Sequence, residues 1–225
     1  MNKRRRYLQG TLDFHCGIYS VINALACLRD VRLQTARTIL SESVLALAPY
    51  PDLLKAFLRN ETDHYWMVAY CLSRWTHIAP FNVQYSQLWG DTWVPEKESS
   101  PEDILEGANL YLPEIPITYA DKTIEKRHLD RVWNGIADWL RPNLPHKVTR
   151  AVIFRFHYYL RGEFTPLVSH WTTAIQVARQ QLILHDASGN EQAIHALSYN
   201  EMLAVARPGA NAIRIVPESV ILLNT

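Results

Sequence analysis

The chain has 225 residues, 48% of them hydrophobic, enough to bury one sizeable core without disulfides or metals. Its 23 basic and 22 acidic residues leave a formal charge of +1, which gives no electrostatic footing for nucleic acid or a membrane surface, and the one basic run, Lys3-Arg4-Arg5-Arg6, reads as a solvated end because no aromatic platform accompanies it. No apolar run approaches the ~20 residues of a membrane helix, and the odd set Cys16, Cys27 and Cys71, with no apolar stretch after the basic start, points to a reducing, cytoplasmic setting, with export by a route that needs no cleavable signal as the alternative.

From Cys16 to Leu28 the residues Ile18, Val21, Ile22, Leu25 and Leu28 recur at i, i+3, i+4 and i+7. They predict a helix buried on one face, with Cys16 in its first turn, Asp13 as N-cap and fraying near Arg29-Asp30. Helical patterning continues over Leu33 to Leu47 and Leu53 to Trp75, separated by Pro49 and Pro51. The stretch from Ala79 to Pro116 is less regular, with a strand-like segment from Phe81 to Tyr85 and a capped helix start at Ser100-Pro101-Glu102-Asp103. Over Thr123 to Leu140, the stripe Leu129, Val132, Trp133, Ile136 and Leu140 predicts a helix that Pro142 and Pro145 stop.

After Pro145 the character changes. Ala151 to Leu160, Trp171 to Ala178, Leu182 to Asp186 and Ala212 to Leu223 are rich in β-branched and aromatic residues and read as strands. Ala178-Arg179-Gln180-Gln181 is short enough to close a hairpin, although it lacks the favoured Asn-Gly or Asp-Gly pair. The expectation is a single α+β domain over 1–225, with 1–145 mainly a helical lobe, 146–225 mainly a β lobe, and a cleft between them.

Cys16 carries the chemistry. A thiol attacks as its thiolate, and an ordinary cysteine, with a pKa of ~8.5, is mostly protonated at neutral pH. The positive end of a helix dipole and a neighbouring imidazolium would both lower that value. His170 is the expected partner, because the sixteen residues from His170 to Asp186 comprise a strand, a tight turn and a returning strand. Asp186 would come back beside the imidazole, accept a hydrogen bond from one ring nitrogen and leave the other facing sulfur. Gln9 can donate its side-chain amide to the negative oxygen of a tetrahedral intermediate, alongside the Cys16 backbone N–H. His15 adjoins Cys16 but side chains adjacent on a helix do not face each other, and His185 should point to the opposite strand face from Asp186. Cys27 lies ~16 Å along the helix from Cys16 and reads as core, as does Cys71. Trp171 reads as core or as a shield over the His170–Asp186 bond.

The order Gln9, Cys16-Gly17, His170-Trp171, Asp186 resembles the papain-like cysteine peptidase superfamily. Within it, the aspartate in third position resembles the bacterial peptidases that trim bacteriocin leaders. Asp13-Phe14-His15-Cys16-Gly17-Ile18 differs from the C-G-S-C-W signature of the plant and lysosomal enzymes, in which glycine precedes the cysteine. The resemblance implies a papain-like α+β fold and a thiol-dependent hydrolase of amide or peptide bonds acting on a protein or peptide substrate. Acyl transfer or protein deamidation on the same triad, as in a delivered effector or toxin, and a catalytically silent binding module of the same fold are the other readings. No cofactor or metal is expected: there is no C-x-x-C pair, H-E-x-x-H, P-loop, G-x-G-x-x-G or G-x-S-x-G elbow.

Overall fold

A computed structural model of the chain describes residues 6–8, 15–59, 64–75, 82–85, 100–111, 126–160, 167–188, 195–203 and 212–225. The first helix, α1 (Cys16–Arg29), starts at His15, which takes the N-cap position without a side-chain cap, and Asp13, the expected cap, lies outside the described residues. It ends at Asp30, whose φ of 53° closes the helix in the left-handed region while its N–H bonds Ala26 O. Sequence periodicity predicts burial on one face, yet twelve of its fourteen residues are buried. The turns between the large apolar residues carry Gly17, Ser20, Asn23, Ala24 and Ala26, small or satisfied side chains that let neighbours close in on every side. Asn23 also anchors the chain upstream of the helix: its Oδ1 accepts from the Tyr7 N–H at 2.8 Å and its Nδ2 donates to Tyr7 O at 3.0 Å.

Around α1 lie α2 (Leu33–Leu45), α3 (Pro51–Leu58), α4 (Tyr65–Trp75) and α5 (Pro101–Tyr111). The span predicted as helical from Leu53 to Trp75 is thus two helices, the first opened by Pro51 at its N-terminal position. At the head of α5 the Ser100 N–H bonds Asp103 Oδ2 at 3.0 Å and the Asp103 N–H bonds Ser100 Oγ at 3.1 Å, the reciprocal cap that the sequence predicts.

Among the described residues seven strands make one antiparallel sheet: β1 (Asn82–Tyr85), β2 (Arg150–Tyr159), β3 (Val168–Ala178), β4 (Gln181–Leu184), β5 (Ala196–Ser198), β6 (Ala212–Ile215) and β7 (Ile221–Asn224). Their order is β1-β7-β2-β3-β4-β5, with β6 pairing β2 beyond the end of β7. The single strand predicted from Ala212 to Leu223 is therefore broken, at a 3₁₀ turn over Pro217–Ser219. There the Ser219 hydroxyl accepts from the Arg155 N–H at 2.7 Å, replacing a ladder bond that the turn removes. The hairpin from β3 to β4 forms as expected, but its central residues, Arg179 and Gln180, have φ of 49° and 61°, the geometry for which glycine or asparagine is normally chosen. β5 and the short helix α7 (Tyr199–Leu203) carry too few residues for a periodic signal and were not legible in the sequence.

The sheet is a middle layer. Along β2, Ala151 and Ile153 join Trp171, Ile221 and Leu223 in the core shared with α1 to α5. Val152, Phe154 and Phe156 join Ala174, Leu182 and Leu184 in a second core under α6 (Lys126–Leu140) and α7. Burial on both faces explains why β2 reads as a continuous apolar run. It also places α6, which falls within the helix-rich part of the sequence, across the sheet from the other long helices. Asn143, just past α6, ties the layers: its Nδ2 donates to Arg150 O and Ile175 O, each at 2.7 Å, the latter at the point where the β3–β4 register shifts. No helix among the described residues is long and apolar enough to cross a membrane.

Candidate active site

Cys16, His170 and Asp186 meet, and they do so in the interior: the three residues are 7%, 6% and 0% exposed. Cys16 arrives on the first turn of α1, where the helix dipole is positive. His170 arrives near the start of β3, opposite Phe156 of β2, whose ring meets the imidazole edge-on at 5.6 Å. Asp186 follows β4 and returns to His170 as the hairpin argument requires. His170 Nε2 and Asp186 Oδ1 are 2.8 Å apart, Thr172 Oγ1 donates to the same oxygen at 2.8 Å, and Ser188 Oγ lies 3.2 Å from Nε2. With Nε2 committed to the carboxylate, Nδ1 is the nitrogen left for the thiol.

Burial alone would raise the Cys16 pKa. The hydrogen bonds and charges of two imidazoles, His170 first and His64 second, overcome it and hold the thiol down at about 5. Burial likewise disfavours the His170 imidazolium, and the bonds to Asp186 and Cys16 outweigh it, lifting that group to about 10. Asp186 is stabilised as the carboxylate: burial opposes this, but the His170 bond and charge, with Ser188 and Thr172, keep its pKa below the usual value. Between those limits the pair is a thiolate and an imidazolium. The other two thiols differ. Cys71 is buried without a basic partner, and burial, partly offset by Ser43, pushes it to about 12. Cys27 is core, and its sulfur pairs with His185 Nδ1.

His185 and Asp186 therefore face opposite ways, the first toward α1 and the second toward His170. His15 is half-buried and stacks on Phe57 at 5.0 Å; it is not among the groups that act on the Cys16 thiol. Trp171 is buried in the core on the α1 side, against Tyr65. Gln9 lies outside the described residues, although Tyr7, two positions before it, is fixed to Asn23 of α1.

His64 is the site residue that sequence reasoning missed. It precedes α4, whose Val68 N–H bonds its carbonyl at 3.0 Å, and its ring lies 4.7 Å from Phe57, on which His15 also stacks. Gly17 makes room for it. A Cβ at Gly17 would stand 3.1 Å from Val68 Cγ2 and 3.3 Å from His64 Cβ, tighter than ordinary contact. The glycine after the cysteine, a departure from the signature of the plant enzymes, is thus the sequence's only trace of this approach. Among the described residues no group of three or more histidine, cysteine, aspartate or glutamate side chains could hold a metal ion. Comparisons with protein-family models, curated proteins and solved structures found no match.

Proposed function

We propose that this chain is a papain-like thiol hydrolase of amide or peptide bonds, with Cys16 as nucleophile, His170 as acid and base, and Asp186 orienting His170. The observation that carries the reading is the pairing of a thiol held at about 5 with an imidazole held at about 10 and hydrogen-bonded to a buried carboxylate. Isolated structural cysteines behave like Cys71 instead.

The Cys16 thiolate attacks the carbonyl carbon, and the carbonyl π pair moves to oxygen. That oxygen is held by the Cys16 N–H, a group at a helix start with no intrahelical acceptor, and by the Gln9 amide. Collapse of the intermediate breaks the C–N bond as His170 delivers its proton to the leaving amine. Neutral His170 then takes a proton from water, which hydrolyses the thioester and restores the ion pair. Asp186 stays ionised throughout and keeps Nδ1 directed at sulfur. The α+β architecture and the order Gln9, Cys16, His170, Asp186 support membership of the papain-like superfamily.

The test is alkylation with iodoacetamide at pH 6. The thiolate fraction of Cys16 exceeds that of Cys71 by roughly a millionfold, the lower basicity of its sulfur takes back roughly a thousandfold, and Cys16 is expected to react ~10³-fold faster. Equal labelling would favour a catalytically silent binding module. A proteome incubated with the protein, with and without a primary amine, then separates hydrolysis, seen as new termini by mass spectrometry, from acyl transfer, seen as amine adducts.

A further inference from the structure

Two thiols on α1 meet an imidazole, and the proposed mechanism uses only one of them. Cys16 and Cys27 stand eleven residues apart, which at about 3.6 residues per turn puts them within about 20° of each other around the helix and ~16 Å apart along it. Cys16 bonds His170, Cys27 pairs with His185 Nδ1, and between them Ser20 O accepts from Thr173 Oγ1 at 2.7 Å. Cys27 and His185 are both buried. His185 is also the residue before Asp186. Because β4 ends at Leu184, strand pairing does not fix Asp186, and His185 grips the chain there from two sides: its N–H donates to Thr173 O at 2.7 Å and its ring pairs with Cys27. Asp186 depends on that placement. Its Oδ1 takes both His170 Nε2 and Thr172 Oγ1 at 2.8 Å, while Oδ2, fully buried, has no hydrogen-bond partner among the described residues. With every bond on one oxygen, a displacement of about 1 Å takes these contacts out of hydrogen-bonding range.

We propose that Cys27 is a positioning residue of the triad, whose contact with His185 holds the segment that presents Asp186 to His170. This rests on the thiol-hydrolase reading. One face of α1 then sets the nucleophile directly and the carboxylate through His185, so the helix acts as the gauge for the line Cys16, His170, Asp186. Cys27 touches no reacting atom and exchanges no proton in the reaction. The consequence is readable at Cys16. Burial disfavours the His170 imidazolium and the Asp186 bond is the first of the effects that outweigh it, so a carboxylate that drifts lets the imidazole go neutral and the thiol regain its proton.

The pH midpoint of Cys16 alkylation by iodoacetamide is measured in the full chain for wild type, Cys27→Ala, Cys27→Ser, Asp186→Asn and the double variant Cys27→Ala/Asp186→Asn. Asp186→Asn sets the full effect of losing the carboxylate charge, an upward shift of about 1–3 units. Cys27→Ala, whose methyl makes no hydrogen bond, is expected to raise the midpoint by roughly a third of that shift or more. Cys27→Ser, whose hydroxyl still bonds Nδ1, returns it toward wild type. In the double variant Cys27→Ala adds nothing to Asp186→Asn, because no carboxylate is left to misplace. A midpoint unchanged in Cys27→Ala, or a shift that adds in full to that of Asp186→Asn, overturns the proposal and leaves Cys27 as packing. Continued protection of Cys71 from alkylation shows that each variant is folded, and His185→Leu, which removes the same contact from the other side, is held to the same outcomes should Cys27→Ala not fold. Wild type that alkylates at Cys16 but releases no p-nitrophenolate from p-nitrophenyl acetate through it, judged against Cys16→Ala, overturns the hydrolase reading instead, a result distinct from the first.

Discussion

Replacing His170 by alanine removes the hydrogen bond and the positive charge that do most to hold Cys16 as the thiolate, and leaves in place the burial that opposes it. The Cys16 midpoint should then climb from about 5 toward the ~8.5 of an ordinary thiol, a shift of about 3 units, or roughly 4 kcal/mol of preference for the thiolate. The assay is the rate of carboxamidomethylation of the Cys16 peptide between pH 4 and 10, read by mass spectrometry with the Cys71 peptide as internal reference. The midpoint must be measured and not a single rate. At pH 6.5 the variant has ~30-fold less thiolate, but with a Brønsted coefficient of 0.4–0.5 each of its thiolates is ~20-fold more nucleophilic, so the two rates nearly coincide. A wild-type midpoint near 8, or a midpoint at about 5 that survives His170→Ala, would refute the ion pair. If His15→Ala moved the midpoint and His170→Ala did not, the base would be misassigned.

Three further outcomes follow from the same geometry. Relative to unfolded values of ~8.5 for a thiol and ~6.5 for histidine, the depressed Cys16 pKa contributes stability that fades as pH falls from about 8.5 through 5, and the raised His170 pKa contributes stability that fades as pH rises from about 6.5 through 10, so that the two slopes cancel between pH 6.5 and 8.5 and the net loss appears below and above that range. From pH 6.5 to 8.5 the folded pair and the unfolded pair bind the same number of protons, so the difference in melting temperature between wild type and the double variant Cys16→Ala/His170→Ala should be flat there and slope on both sides; a difference constant over pH 5–10 contradicts this. Gly17→Ala, whose new methyl meets Val68 and His64, should keep the fold by circular dichroism yet raise the alkylation midpoint of Cys16 by displacing His64, and an unchanged midpoint would show that the approach is not tight. Arg179→Asn with Gln180→Gly should raise the free energy of urea unfolding by about 1–2 kcal/mol, since both positions hold positive φ that these residues adopt more cheaply.

Much of this site is legible from the sequence because its partners are close along the chain. His170 and Asp186 are joined by one hairpin, and a period of two decides that Asp186, not His185, faces the imidazole. Cys16 is legible as the first residue of an apolar period of 3.6. His64 is not, because it reaches the thiol from the turn before a different helix, α4, and nothing in the order of residues encodes the packing of α4 on α1 except a glycine that could serve many purposes. The same limit applies to the layers. Period and composition separate helix from strand, yet they do not say that α6 crosses to the far side of the sheet or that α1 is enclosed all round. The break between β6 and β7 was there to be read in Pro217, which cannot donate to a ladder, but the β-branched residues on either side outweigh one proline in a window.

The pairing of His185 with Cys27 while Asp186 holds His170 makes the length of the β3–β4 hairpin a fixed quantity. Inserting or deleting one residue between Ala178 and His185 would exchange the two side chains across the sheet, turning the imidazole outward and the carboxylate onto α1 beside a sulfur it cannot neutralise. Two links would fail from one slip. Change in chain length during divergence is therefore expected to be absent from this hairpin, and a library of single-residue deletions should show its sharpest loss of folded protein there.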